Sequence, residues 1–327
     1  MPGTLLSSLA SWAFGELSRA VLQSWVFSHF SISVFQLFLH MLPLTLAALW
    51  LHFFWCLVPS WRFGQYYEYG FLVPLLAFGF AWRRAGMLGD MAAPQPWQPG
   101  KLADRLLLGL AAAGLLALIP LRIIETGDPI WRPPIVLHGL LISTAVHLAL
   151  ARWRGWKISA FFLPVSLFAW SAVPYLWQFE HALVRHLSSF VVGLTHEVFL
   201  LSGQPVERIG ERLALGARAV DVTDGCSGIR SVQSLVMAAL FFGELLWLRW
   251  PARCALIGTG LVAAVICNTG RAWYLATVQF SRGEEAAHAA HDPAGHLAFA
   301  AAALVLYLAA RLLMPRAAGR VVVRRKS

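Results

Sequence analysis

The sequence is dominated by apolar blocks of about 20 residues, separated by short polar connections. A helix of about 20 apolar residues is long enough to cross a hydrocarbon core about 30 Å thick. The chain is 58% hydrophobic and only 13% charged, more apolar surface than a soluble domain buries. We therefore predict an all-α polytopic membrane protein with about eight transmembrane helices. The predicted spans are 32–57, 67–83, 105–124, 134–151, 158–177, 229–248, 254–275 and 294–313.

Both ends of the chain are predicted to lie outside the spans. Residues 1–30 are expected to form an amphipathic helix on the membrane surface, because Glu16 and Arg19 share one helix face among apolar neighbours. Residues 31–313 are expected to form a single transmembrane domain. Residues 314–327 form a basic tail.

The net charge of +10 is explained by membrane topology and does not require a nucleic-acid partner. Basic residues accumulate in alternate connections, and short connections rich in lysine and arginine stay in the cytoplasm. This pattern predicts that both termini are cytoplasmic and that the protein is a multi-pass protein of the cytoplasmic (inner) membrane. Membrane lipids are then its immediate surroundings.

The long segment 178–228, before the sixth span, is predicted to lie on the outer, periplasmic face. Its first part mixes polar residues with leucine and valine, as in an interfacial helix. Its second part has glycines between short stretches of alternating polarity, such as 220–223, which is typical of a small β-ribbon. A ribbon at this place would hold the following loop rigidly at the bilayer surface.

A cysteine stands at the entry of the sixth span, in the stretch 224–231. Glycines flank the Cys226–Ser227 pair, which allows a tight turn. If the helix begins near Ser227, its positive end favours the nucleophilic thiolate. Asp224 and Arg230 lie close enough in the sequence to orient the thiol.

Two further polar groups are predicted at the same face of the membrane. Asn268 and Arg271 are three residues apart near the end of the seventh span, so they share a helix face. Three histidines and an aspartate precede the eighth span. Their spacing fits no common zinc pattern, and we expect Pro293 to break a helix through them, so we predict no metal and no cofactor. These four residues are His288, His291, Asp292 and His296.

The cysteine, the arginine and a histidine form a set suited to thiol acyl transfer. The thiolate of Cys226 would attack a peptide carbonyl, one of the three histidines would move protons, and Arg271 would stabilise the developing oxyanion.

On these residues the sequence resembles the exosortase/archaeosortase family of membrane transpeptidase-like cysteine proteases. The matching pieces are Cys-Ser-Gly-Ile-Arg-Ser at 226–231, Asn-x-x-Arg at 268–271, and His-x-x-Ala-Gly at 291–295. The stretch 67–74, followed by Trp-Arg-Arg at 82–84, is similar to the family's second-helix signature. The spacing from His291 to Gly295 selects that histidine over its two neighbours.

The resemblance implies an activity and a class of partner. Substrates would be secreted proteins with a C-terminal sorting signal: a short motif, a transmembrane helix and a basic cluster. The enzyme would cleave near the motif on the outer face and transfer the new C-terminus to an acceptor. A lipid or polysaccharide amine is a candidate acceptor.

Two other classes stay open at this point. A rhomboid-like intramembrane serine protease could use Ser227, because Gly-x-Ser-Gly is spelled at 225–228 and a histidine follows two spans later. A non-enzymatic transporter or assembly subunit of envelope biogenesis could use the polar groups as a path, although no internal repeat supports this reading.

Overall fold

The computed structural model describes residues 44–64, 66–88, 100–216, 218–221 and 228–314. Two compact units divide between His52 and Phe53, and the first unit contributes only residues 44–52 to the described part. The predicted surface helix at 1–30 and the tail beyond residue 314 lie outside the described residues. The helices are α1 (Leu44–Phe63), α2 (Leu72–Gly86), α3 (Lys101–Gly127), α4 (Arg132–Arg154), α5 (Trp156–Trp170), α6 (Trp177–Leu201), α7 (Ile229–Leu245), α8 (Trp250–Arg282) and α9 (Glu284–Leu313).

Five of these helices are long and apolar enough to cross a membrane: α1, α3, α4, α8 and α9. The protein is therefore a membrane protein. Helices α2 and α5 have 15 residues and α7 has 17. At 1.5 Å per residue they are shorter than a hydrocarbon core about 30 Å thick. The count of eight spans stays a prediction, although a helix overlaps every predicted span.

The β-ribbon predicted before α7 is present as a three-stranded antiparallel sheet. Its strands are β1 (Glu207–Ile209), β2 (Arg212–Leu215) and β3 (Arg218–Asp221), in the order β1-β2-β3. Leu213 pairs with Val220, and both side chains are buried against Val192 and Phe199 of α6 and against the end of α8. The sheet is thus fixed to two helices directly before the loop that leads to α7.

The last three helices pack through small and aliphatic side chains. Leu235 of α7, Leu256 of α8 and Leu306 of α9 are completely buried in one cluster. Gly260 of α8 lies against Leu306 and the backbone of Leu235. Small residues let helices approach closely where lipid gives no hydrophobic driving force for their association. The cluster fixes α8 and α9 side by side.

A buried ion cluster joins α2, α7 and α8 at the end of the bundle where α7 leads into α8. The Glu244 carboxylate is completely buried and accepts two bonds from Arg84, at 2.6 and 2.7 Å. Arg253 donates a third bond to the same carboxylate at 3.0 Å. A paired, forked arrangement of this kind keeps a carboxylate ionised away from water. Arg84, the last residue of the Trp-Arg-Arg stretch at 82–84, therefore has a structural role in this fold.

Helices α8 and α9 extend well past the predicted ends of their spans. Helix α8 continues beyond Leu275 to Arg282, and α9 already begins at Glu284, with only Gly283 between them. Our expectation that Pro293 breaks the helix is wrong, because α9 runs through it. A proline removes one backbone donor from an interior turn, and the surrounding alanines and glutamates favour helix strongly enough to carry the turn.

Candidate active site

The Gly283 turn folds α9 back along α8 and so brings Arg271 and His291 together. Gly283 has a φ of +94°, a conformation that L side chains rarely adopt. Twenty residues separate the arginine and the histidine, and their side chains meet with Nη2 of Arg271 2.8 Å from Nε2 of His291. Two of the three predicted catalytic side chains therefore lie in direct contact.

The contact fixes which nitrogen of His291 carries a proton. A guanidinium can only donate, so Nε2 must be the acceptor of the bond from Arg271. The proton is then on Nδ1, which lies 3.0 Å from Oδ1 of Asp292. The Asp292 carboxylate is mostly exposed, and the imidazole is 42% exposed. The accepting nitrogen of His291 is therefore turned toward the guanidinium.

Gly295 lies directly beside the guanidinium of Arg271. A methyl group built on Gly295 would be 3.6 Å from the Cζ and Nε atoms of the arginine, which is ordinary van der Waals contact. A larger side chain would extend further into the space beside the guanidinium. The His-x-x-Ala-Gly spacing thus places His291 and Gly295 on the same stretch of α9. Gly295 leaves the space beside the Arg271 guanidinium unobstructed.

The Asn268 side chain packs against Gly228, the residue that caps α7. Its side chain is 5% exposed. Gly228, which caps α7, has a φ of +76°, and a methyl group built on it would be 2.8 Å from both Cγ and Nδ2 of Asn268. This close approach requires a glycine. It holds the entry of α7 one helical turn away from Arg271 along α8.

The predicted nucleophile lies in a stretch that the structure does not describe. Asp224, Cys226 and Ser227 fall between β3 and Gly228, outside the described residues. Both flanks of the stretch are described: β3 packs on α8 through Val220, and Gly228 packs on Asn268. Arg230, which was predicted to help orient the thiol, is exposed, with its guanidinium 6.0 Å from the ring of Tyr66.

A buried polar cluster beside this region was missed by the sequence analysis. The Tyr67 hydroxyl donates to Oε2 of Glu180 at 2.5 Å, and the Arg132 guanidinium forms an ion pair with the same oxygen at 2.9 Å. Burial raises the pKa of Tyr67, and the bond to Glu180 raises it further, so the hydroxyl stays protonated and donates. The Arg132 guanidinium also lies 3.6 Å from the ring of Trp177. Arg132 and Glu180, two charged residues beside apolar helices, were the feature of the sequence that could have revealed this cluster.

This cluster holds in place the segment at Tyr66 and Tyr67, which lies next to the beginning of α7. It ties Tyr67 to the beginnings of α4 and α6, and the neighbouring Tyr66 is the aromatic side chain under Arg230. The part of the sequence resemblance that covers 67–74 therefore corresponds to two elements next to the entry of α7. These are an anchored loop at 66–71, which contains a 3-10 turn (Glu68–Phe71), and the first residues of α2.

A family model described as transmembrane exosortase (Exosortase_EpsH) matches residues 61–308. The chain belongs to the transmembrane exosortase family. The family assignment predicted from the sequence is thereby confirmed, and it indicates a membrane-embedded enzyme with a transpeptidase or protein-sorting role. Searches of curated proteins and of solved structures found no match to the chain.

Within the exosortase match lie the anchored loop at 66–71, the cysteine stretch, and the Arg271–His291 pair. The structure brings together Arg271 and His291, and it places Asn268 against the cap of α7. Asp224, Cys226 and Ser227 lie outside the described residues, so their roles stay predictions.

Proposed function

We propose that this exosortase is a thiol peptidase and transpeptidase that cleaves C-terminal sorting signals of secreted proteins. Cys226 is the nucleophile, His291 the general acid and base, and Arg271 the electrophilic stabiliser. The contact between Arg271 and His291 supports this assignment most directly, because it joins a proton acceptor to a fixed cation in one site.

Chain connectivity supports the inclusion of Cys226. The cysteine stands two residues before Gly228 in the sequence. Gly228 rests on Asn268, and Arg271 is one turn further along the same face of α8. We therefore assign the role of nucleophile to Cys226.

The first half of the reaction uses both side chains in sequence. The Cys226 thiol gives its proton to Nε2 of His291, and the thiolate attacks the scissile carbonyl carbon. Protonation of Nε2 removes the acceptor of the Arg271 bond, so the guanidinium is released to donate to the new oxyanion. The intermediate then expels the amine, which takes the proton from Nε2, and leaves a thioester on Cys226.

The second half resolves the thioester. An acceptor amine or a water molecule attacks the thioester carbonyl while His291 takes its proton, and the thiol leaves with a proton. The substrate is a secreted protein whose tail helix is anchored by a basic cluster in the cytoplasm. With both termini of the exosortase cytoplasmic, the α8–α9 turn lies on the outer face, where such a tail would present its motif.

The test compares Cys226→Ala with Ser227→Ala in the native host. The size and location of a secreted protein that carries such a tail would be followed for each full-length variant. We expect Cys226→Ala to leave the tail uncut and Ser227→Ala to process it. Loss of cutting in Ser227→Ala alone would instead support the rhomboid-like serine reading, in which the Asn268–Arg271 pair has no role.

A further inference from the structure

A second group of reactive side chains is buried among α1, α3 and α4. The thiol of Cys56, the carboxylate of Glu125 and the imidazole of His138 place one ligand atom each within 4.8 Å of the others. Their residues are 8%, 3% and 0% exposed. In the part of the chain that the structure describes, these are the side chains that converge in this way, rather than the histidines at 288–296.

The group is held between the end of α3, the beginning of α4 and the interior of α1. Glu125 lies in the last turn of α3 and His138 in the second turn of α4, and only residues 128–131 separate the two helices. Cys56 contributes from α1, and the ring of Phe53, one turn earlier, lies 5.0 Å from the ring of His138. Ionisable residues at such a place in a membrane protein are functional candidates by default.

We propose that Cys56, Glu125 and His138 form a buried Zn²⁺ site that is separate from the catalytic residues. A thiolate, an imidazole nitrogen and a carboxylate oxygen are all common protein ligands of zinc, and three of them leave one coordination position open. The thiolate and the carboxylate neutralise a divalent cation, so the loaded set carries no net charge in a medium where charge is costly.

The distances allow coordination after a small contraction. Zinc lies about 2.0–2.3 Å from nitrogen, oxygen and sulfur ligands, and tetrahedral geometry then puts two ligand atoms about 3.5 Å apart. The widest pair here is no more than 4.8 Å apart, so the set closes by roughly 1 Å on binding. The imidazole and the carboxylate already lie 2.9 Å apart.

Arg122 would compete with a bound cation for the Glu125 carboxylate. Its Nη1 lies 2.5 Å from Oε2 of Glu125, and its side chain is 31% exposed. The guanidinium balances the carboxylate when no metal is bound, and its partly exposed side leaves it room to withdraw from the carboxylate. The arginine also marks the side from which a cation would reach the ligands.

The experiment measures zinc and cobalt binding by the full-length protein, purified in detergent without a histidine tag. We expect about one zinc per chain by elemental analysis and, with Co²⁺, a thiolate charge-transfer absorption band. Cys56→Ser should lose both, whereas the controls Cys226→Ala and Cys254→Ser should keep both. A wild-type protein without bound zinc, or a band that persists in Cys56→Ser, would overturn the proposal.

A second variant keeps the test decisive if Cys56→Ser does not fold. Arg122→Gln removes the competing cation from a partly exposed position, so it should raise the zinc affinity by about tenfold. An affinity equal to or below that of the wild type would contradict the proposed competition. Neither readout depends on peptidase activity, so the zinc site and the proposed function can fail independently.

Discussion

Replacing Gly228 by alanine adds a methyl group where the structure leaves no space for one. The backbone there has a φ of +76°, which costs an L residue about 1–2 kcal/mol. The methyl group would also lie 2.8 Å from Cγ and Nδ2 of the buried Asn268. Overpacking of this kind costs about 1–3 kcal/mol, so the total is about 2–5 kcal/mol. The free energy of unfolding of a typical domain is only about 5–15 kcal/mol.

A matched control separates the backbone strain from the contact. Gly203 has a φ of +77°, and nothing lies within 4 Å of a methyl group built on it. Gly203→Ala therefore carries the strain alone. We expect unfolding midpoints in detergent, followed by tryptophan fluorescence, to fall in the order wild type, Gly203→Ala, Gly228→Ala. Tail cleavage should be retained in Gly203→Ala and strongly reduced in Gly228→Ala.

A double-mutant cycle then identifies the partner. Asn268→Ala removes the two atoms at 2.8 Å, so combining it with Gly228→Ala should cost less than the sum of the single changes. Equal midpoints for Gly228→Ala and Gly203→Ala, together with strict additivity in the cycle, would refute the contact. The cap of α7 would then not be positioned by Asn268.

Three other substitutions have defined outcomes. Arg271→Lys should lower the rate of tail cleavage by about 10²–10³-fold, because one ammonium cannot replace a planar fork of donors; near-normal initial rates would remove Arg271 from the mechanism. Tyr67→Phe should lower the free energy of unfolding by about 1–3 kcal/mol, since buried Glu180 loses its 2.5 Å bond; an unchanged chemical denaturation midpoint would contradict this. Glu244→Gln should cost about 3–5 kcal/mol in the same assay, because two buried arginines lose their counter-charge; a neutral effect would show that the cluster is solvated.

Much of the fold could be predicted because the hydrophobicity of a segment indicates whether lipid or water surrounds it. Apolar blocks located a helix at every predicted span, and the glycines at 210 and 216 located the turns of the sheet. Helix ends were less predictable, because polarity marks where a chain leaves the lipid and not where its hydrogen-bonded turns stop. The polar stretch 276–293 therefore looked like a loop, yet it continues α8 and begins α9.

The candidate site was predictable only in part, for a related reason. Arg271 and His291 could be selected by residue type and family spacing, but their direct bond depends on the Gly283 turn. The partnership of Tyr67 with Glu180 joins residues 113 positions apart, and no local pattern encodes it. No local sequence pattern marks Cys56 as a ligand, because its two neighbours in space, Glu125 and His138, come from other helices.

The central claim is that the substrate becomes a thioester on Cys226, and hydroxylamine tests it most directly. Hydroxylamine attacks a thioester in place of the acceptor, so membranes with the wild-type protein should release the tailed substrate with a C-terminal hydroxamate. Mass spectrometry of that C-terminus, with Cys226→Ala as the control, is the measurement. We predict the hydroxamate in the wild type and uncut substrate in the variant. Cleavage that yields only a free carboxylate in hydroxylamine, or that continues in Cys226→Ala, would contradict the account.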